Sequence, residues 1–165
     1  MSTLSASPPP FPIQTHYING KPHHSDTSTF TTYNPSTATP LAEVYTASPA
    51  DIDFAITTSQ EAFKSWSKTT PVERSRILLN AVKLLRERND DIARIESLDT
   101  GKAFCETSTV DVATGTDVLE YFAGLGMGTG QGKTIQLRES AWVYTRKEPL
   151  GVCIGIGAWN YPIQM

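Results

Sequence analysis

Cysteine is scarce in this 165-residue sequence, with only Cys105 and Cys153. Two thiols are too few for a secreted disulfide framework, and their surroundings lack the ligand spacing of a zinc site, so a reducing compartment is expected. Long apolar runs are missing as well. No stretch approaches the roughly 20 apolar residues of a membrane span, and Met1 to Pro12 has neither the basic nor the apolar segment of a secretory leader. The expectation is a cytoplasmic chain with no membrane partner. Positive charge is not in excess either: 14 Lys+Arg stand against 17 Asp+Glu, for a formal net charge of -3. A phosphate-backbone binder would show a basic stripe, so nucleic acid is excluded as a partner.

What is present divides along the chain. Residues 1–15, with Pro8, Pro9, Pro10 and Pro12 among Ser and Thr, read as a disordered arm because they hold almost nothing apolar to bury. His16 to Lys21 is a β-rich run meeting Asn19-Gly20, a strong hairpin-turn signal, with the second strand expected near Thr29 to Tyr33. Leu41 to Thr46 is a further strand candidate. Ser48-Pro49-Ala50-Asp51 and Thr70-Pro71-Val72-Glu73 each combine an N-cap hydroxyl, a proline at the first helical position and an acid three residues after the cap. Each opens an amphipathic helix, with Ile52, Ala55, Ile56, Phe63 and Trp66 inward in the first and Ile77, Leu78, Ala81, Leu84 and Leu85 in the second. A third helix is expected from Asn89 to Gly101 and a fourth from about Thr107 to Ala123. Gly124 to Gly132 reads as a flexible connector, followed by strands at Thr134 to Leu137, Ala141 to Arg146 and Val152 to Ile156.

Three features invite functional readings that the residues do not carry. Gly132-Lys133-Thr134 matches the end of a Walker A phosphate loop, but Met127 stands where the first glycine belongs, and a helix precedes the segment where a strand should. His23 and His24 point to opposite faces of a strand and lack a partner at ligand spacing, so they read as a surface turn. Cys105 has Glu106 beside it, and a neighbouring negative charge works against a thiolate nucleophile. Cys153, inside an apolar strand, reads as a buried small residue.

The last cluster runs from Gly151 to Pro162. An apolar strand leading into a small-residue turn tipped by Asn160 places that side chain at the carboxyl end of a parallel sheet, where α/β proteins put ligands. The plainer reading is a buried strand and an aromatic-rich turn. Gly155-x-Gly157 lacks the third glycine of a dinucleotide fingerprint, since residue 160 is Asn.

Pro149-Leu150-Gly151-Val152 followed by Gly157-Ala158-Trp159-Asn160-Tyr161-Pro162 resembles the first dinucleotide-domain strand of the aldehyde dehydrogenase superfamily, whose usual form is P-x-G-V and then P-W-N-[FY]-P, with Ala158 replacing one proline. Tyr17-Ile18-Asn19-Gly20, Tyr33 to Thr37, Phe63 to Trp66 and Leu98 to Lys102 fall in family order, so the resemblance covers His16 to Met165. The wording Gly-Ile-Gly-Ala-Trp-Asn-Tyr-Pro is similar to the betaine aldehyde dehydrogenase branch. The resemblance implies an incomplete α/β fold: residues 16–133 as the N-terminal part of an NAD(P)-binding domain, 134–148 as part of an oligomerisation hairpin, and 149–165 as the first Rossmann-type strand and turn. The family's nucleophilic Cys and general-base Glu belong to a region after Met165, so the chain reads as an N-terminal portion that is inactive alone.

In such an enzyme a thiolate adds to the aldehyde and the resulting oxyanion needs oriented donors before hydride leaves for NAD or NADP. The resemblance gives the donor role to Asn160 and the cofactor-binding stretch to Ile156, Gly157, Ala158 and Trp159. It makes Tyr161 a substrate contact, offering a ring face to a quaternary ammonium. It also implies a K+ or Na+ site using Asp99 and backbone oxygens near Thr32 and Tyr33, with Asp99 as a helix-end residue the other reading. The implied partners are a small aldehyde and, in the complete protein, further copies of the chain. A truncated paralogue that associates with full-length subunits is the non-catalytic alternative.

Overall fold

Asn19 and Gly20 both adopt positive φ, 53° and 75°, the turn that fits the right-handed twist of a two-residue hairpin. So short a loop fixes the partner strand. In the computed structural model, which describes residues 9–128 and 132–165, β1 (His16–Ile18) pairs with β2 (Lys21–His23), and Thr29–Asn34 is not its partner. That later segment is β3, which pairs antiparallel with β4 (Thr39–Tyr45) around the Asn34-Pro35 turn. His23 therefore ends a strand, where the sequence suggested a surface turn.

Of the arm expected to be disordered, residues 1–8 lie outside the described residues. Residues 9–15 run along β4: the Phe11 N–H donates to Leu41 O at 3.2 Å and the Gln14 N–H to Glu43 O at 2.7 Å, and the Tyr45 N–H returns a bond to Gln14 O at 3.2 Å. An open strand edge accepts a chain through its backbone groups, with no need for apolar side chains. That route to order is invisible to composition.

Both sequence-read capping boxes form, Ser48 with Asp51 opening α1 (Pro49–Trp66) and Thr70 with Glu73 opening α2 (Pro71–Glu87). Helix α3 (Asn89–Thr100) stops at Gly101, which takes the left-handed conformation at φ 79°. A helical turn, α4 (Phe104–Glu106), and one π-helical turn over Thr107–Asp111 lead into α5 (Val112–Gly128). Gly124, Gly126 and Gly128 thus belong to the end of a helix, where a connector was expected; Gly130 lies outside the described residues. The core sits where α2 packs along α5 and α3 meets the π turn, closed by Val82, Ala93, Val112 and Ala123. Thr107 and Thr116 are buried among them because their hydroxyls donate to Ala93 O (3.0 Å) and Val112 O (2.6 Å).

Helix α1 is tied down at its start. The Asp51 carboxylate accepts from Ser25 Oγ at 2.6 Å, Ser48 Oγ at 2.7 Å, the Ser48 N–H at 2.8 Å and His23 Nε2 at 2.7 Å. The Ser25 bond, then those from Ser48 and His23, hold this carboxyl well below the usual carboxylate range against the opposing effect of burial. A depressed folded-state value stabilises the fold above the ordinary carboxylate pKa, and the contribution is lost as pH falls through the folded-state value. Denaturant midpoints measured from neutral pH to below about pH 4 should therefore fall for the wild type. The fall should be shallower in Asp51→Asn; equal slopes would remove this link.

The apolar stripe of α1 has little to cover it: Ile52 and Trp66 are exposed, as are Ile77 and Leu84 on α2. Periodicity correctly marks these faces as apolar, but burial needs a second surface. After α5, β5 (Thr134–Arg138) and β6 (Ala141–Tyr144) form a third hairpin. Val152 to Ile156, read as a strand, is unpaired among the described residues. Every sheet there is a two-stranded antiparallel hairpin, and a parallel strand needs a crossover neighbour to take its N–H and C=O groups. Cys153 is exposed for the same reason, correcting its assignment as a buried residue.

Candidate functional site: the turn from Trp159 to Gln164

The closing residues fold back onto the helices. The N–H groups of Gln164 and Met165 both donate to Tyr161 O, at 3.1 and 3.3 Å. The Gln164 side-chain amide donates to the Thr114 hydroxyl on α5. The backbone comes so near α5 at Gly115 that a Cβ there would lie 3.1 Å from Ile163 O. A small residue at 115 is what lets the turn approach.

Beneath the turn lies a set of charges. Lys102 Nζ sits 3.4 Å from the centroid of the Tyr161 ring and 2.7 Å from Asp111 Oδ2. Asp111, in the π turn, is fully buried, and Glu96 on α3 is only 6% exposed. Burial acts to lower the Lys102 pKa, but the bond to Asp111 and the charges of Asp111, Tyr161 and Glu106 raise it overall. Burial, followed by the Asp111 charge, pushes Glu96 up, and the Ile163 backbone N–H and Lys102 oppose that rise. One oxygen of each acid, Glu96 Oε1 and Asp111 Oδ1, is buried without a hydrogen-bond partner.

The sequence-derived residues distribute unevenly over this geometry. Asn160 is exposed at the turn, and no described hydrogen bond uses its side chain. Tyr161 is half-buried on Lys102. Ile156 (96% exposed) and Trp159 (88%) are open to solvent, and with Gly157 and Ala158 they border none of the three main cavities. A Cβ on Gly157 would meet only Met165 Cβ, at 3.9 Å. These residues offer an open backbone face, and among the described residues no cradle encloses it. Asp99 and Thr32 line one cavity of about 570 Å³ between β4, α3 and the turn, with Leu41, Ile95 and Ile163 on its wall; Tyr33 does not reach it. The rest of that lining is mainly apolar, with Phe11, Val44, Ile92 and Leu98 among it. Sequence reasoning gives no role to Lys102, at the end of the Leu98 to Lys102 motif, or to Glu96 and Asp111. A faint signal was available for both acids: Asp111 stands between Val110 and Val112, and Glu96 follows Ile95 one helical turn after Ala93.

An α/β unit of capped helices and hairpins, ending in a glycine-containing segment and an Asn-Tyr-Pro turn packed on α5, corresponds to the N-terminal part of an aldehyde-oxidising dehydrogenase fold. A sequence model of the aldehyde dehydrogenase family matches residues 23–165, and the chain belongs to that family. Solved structures agree. A betaine aldehyde dehydrogenase from Staphylococcus aureus in complex with NAD+ is 32% identical over 92% of this chain and 30% of its own, with a TM-score of 0.85. A putative aldehyde dehydrogenase from Burkholderia cenocepacia is 28% identical over 91% and 31%, with a TM-score of 0.86. An aldehyde dehydrogenase from Bacillus cereus is 32% identical over 81% and 28%, at 0.74. The chain thus spans about 30% of the length of the structures it resembles.

Proposed function

We propose that this chain is the N-terminal portion of an NAD(P)+-dependent aldehyde dehydrogenase that oxidises betaine aldehyde or an aminoaldehyde to the carboxylic acid, and that the isolated chain does not turn over. The observation that carries the reading is the Asn160-Tyr161 turn, with an uncommitted side-chain amide beside a ring already engaged by an ammonium. An amide at Asn160 can donate to the oxyanion of the aldehyde adduct. One face of Tyr161 meets Lys102, and the opposite face can take a quaternary ammonium, an attraction of up to about 2 kcal/mol when desolvated. The likeness to a betaine aldehyde dehydrogenase supports that substrate class. NAD(P)+, accepting the hydride, would lie along Ile156, Gly157, Ala158 and Trp159, and a K+ or Na+ beside Asp99, Thr32 and Tyr33. Two exposed free thiols suit a cytoplasmic, reducing location.

The proposed inactivity of the isolated chain is supported by its thiols, neither of which is hydrogen-bonded to a base among the described residues. Steady-state assays with betaine aldehyde, short aliphatic aldehydes and either NAD+ or NADP+ should yield no reduced cofactor. Turnover abolished by Cys105→Ser or Cys153→Ser would overturn this reading.

The complete protein is proposed to be a homo-oligomer. Leu137 (66% exposed), Trp142 (63%) and Tyr144 (61%) stand open on the β5–β6 hairpin, and a lone hairpin with apolar faces and free edges invites association. The 165-residue chain should sediment as an oligomer or aggregate. A monodisperse monomer that unfolds cooperatively is the contrary result.

A further inference from the structure

We propose that Lys102, Asp111 and Glu96 form a positioning unit that fixes the Trp159–Gln164 turn, Lys102 by gripping the Tyr161 ring while anchored on Asp111, and Glu96 by lining the same cavity wall as Pro162 and Ile163. This deepens the functional reading above and rests on it, because the turn presents Asn160. The groups come from three separate pieces of chain: α3, the π turn and the segment after Gly101. Lys102 meets the turn at Tyr161 and Glu96 lies beside Ile163, while Asp111 reaches the turn through Lys102.

A lysine on the surface would extend its ammonium into water. Here the Lys102 side chain is only 17% exposed, lying between a fully buried carboxylate at 2.7 Å and a ring centroid at 3.4 Å. A cation held on both sides locates the ring as well as neutralising the acid. Two acids at one buried site would repel if both were charged, and each leaves an oxygen unpartnered. Burial and the Asp111 charge push Glu96 up, and Lys102 balances Asp111 at 2.7 Å.

The test uses the 165-residue chain and needs no turnover. Amide exchange at Gln164 and Met165, whose N–H groups bond to Tyr161 O, is followed by NMR, with far-UV circular dichroism to verify the fold. In Lys102→Met, which keeps the apolar stem, protection of both amides should fall at least about tenfold, and Lys102→Arg should restore it. Glu96→Gln, which keeps the side chain's volume on the cavity wall it shares with Ile163, should retain protection, whereas Glu96→Ala should lose it. In the wild type the Lys102 ε-methylene protons should be shifted upfield by the ring and return to ordinary positions in Tyr161→Leu, a reading that stands even if a charge variant fails to fold. Unchanged protection in both Lys102→Met and Glu96→Ala, or unshifted Lys102 protons in the wild type, would overturn the proposal. A turn that responds as described in a protein whose turnover ignores Asn160 would reject the functional reading and leave this one standing.

Discussion

Asn160→Ala should lower kcat and kcat/KM together by roughly 10²-fold or more in an active chimaera that joins this chain to the C-terminal remainder of a close homologue. An amide donor aimed at an oxyanion acts mainly in the transition state, so its loss appears in kcat without a matching change in ground-state binding. The affinity for NAD+ should change little. The exposed position of Asn160, with no described hydrogen bond to its side chain, makes the alternative separable. If the residue served only the turn, the substitution would lower stability and leave turnover per folded molecule nearly intact. Measuring kcat on material of verified folded fraction decides between the two, and an unchanged kcat would remove the assignment.

The second large effect is expected at Gly101. Its φ of 79° belongs to the left-handed region, and a Cβ there would lie 2.8 Å from Pro35 Cγ. The residue that ends α3 therefore also seats the β3–β4 turn against it. A side chain in this conformation costs about 1–2 kcal/mol, more if β-branched, and pressing it into Pro35 adds about 1–3 kcal/mol. Gly101→Val should lower the unfolding free energy by about 3 kcal/mol, read as a reduced denaturant midpoint at unchanged m-value. Gly20→Ala is the control: φ is 75°, but nothing lies within 4 Å of the new Cβ. It should cost only about 1 kcal/mol. Equal losses at the two sites would mean that the Pro35 contact contributes nothing.

Local chemistry was legible wherever one short segment contains the whole cause. The capping boxes at Ser48 and Thr70, the glycine stop at Gly101 and the strands that begin at Thr134 and Ala141 each depend on residues a few positions apart. The Asn19-Gly20 turn was read correctly and its partner strand was not, although the two-residue loop already implied Lys21–His23. For the candidate site, the motif from Gly157 to Pro162 was visible as a pattern, and Asn160 and Tyr161 stand on the turn that the structure packs against α5.

By itself, then, the sequence determined where α1 and α2 begin, where α3 stops, and the family, because caps and side-chain periodicity act over a few residues. Tertiary structure decided which apolar faces are covered. Ile52 and Trp66 lie on a proper amphipathic stripe yet remain exposed, since burial depends on a second surface that periodicity does not describe. The same holds for strands: residues 9–15 are ordered by the edge of β4, and Val152 to Ile156 goes unpaired without a neighbour. It also decided the company kept by Tyr161, which meets Lys102 and, through it, Asp111 across some 50 residues of chain. No local pattern encodes that meeting, because a charged residue reads as solvent-facing until the fold brings its partner to it.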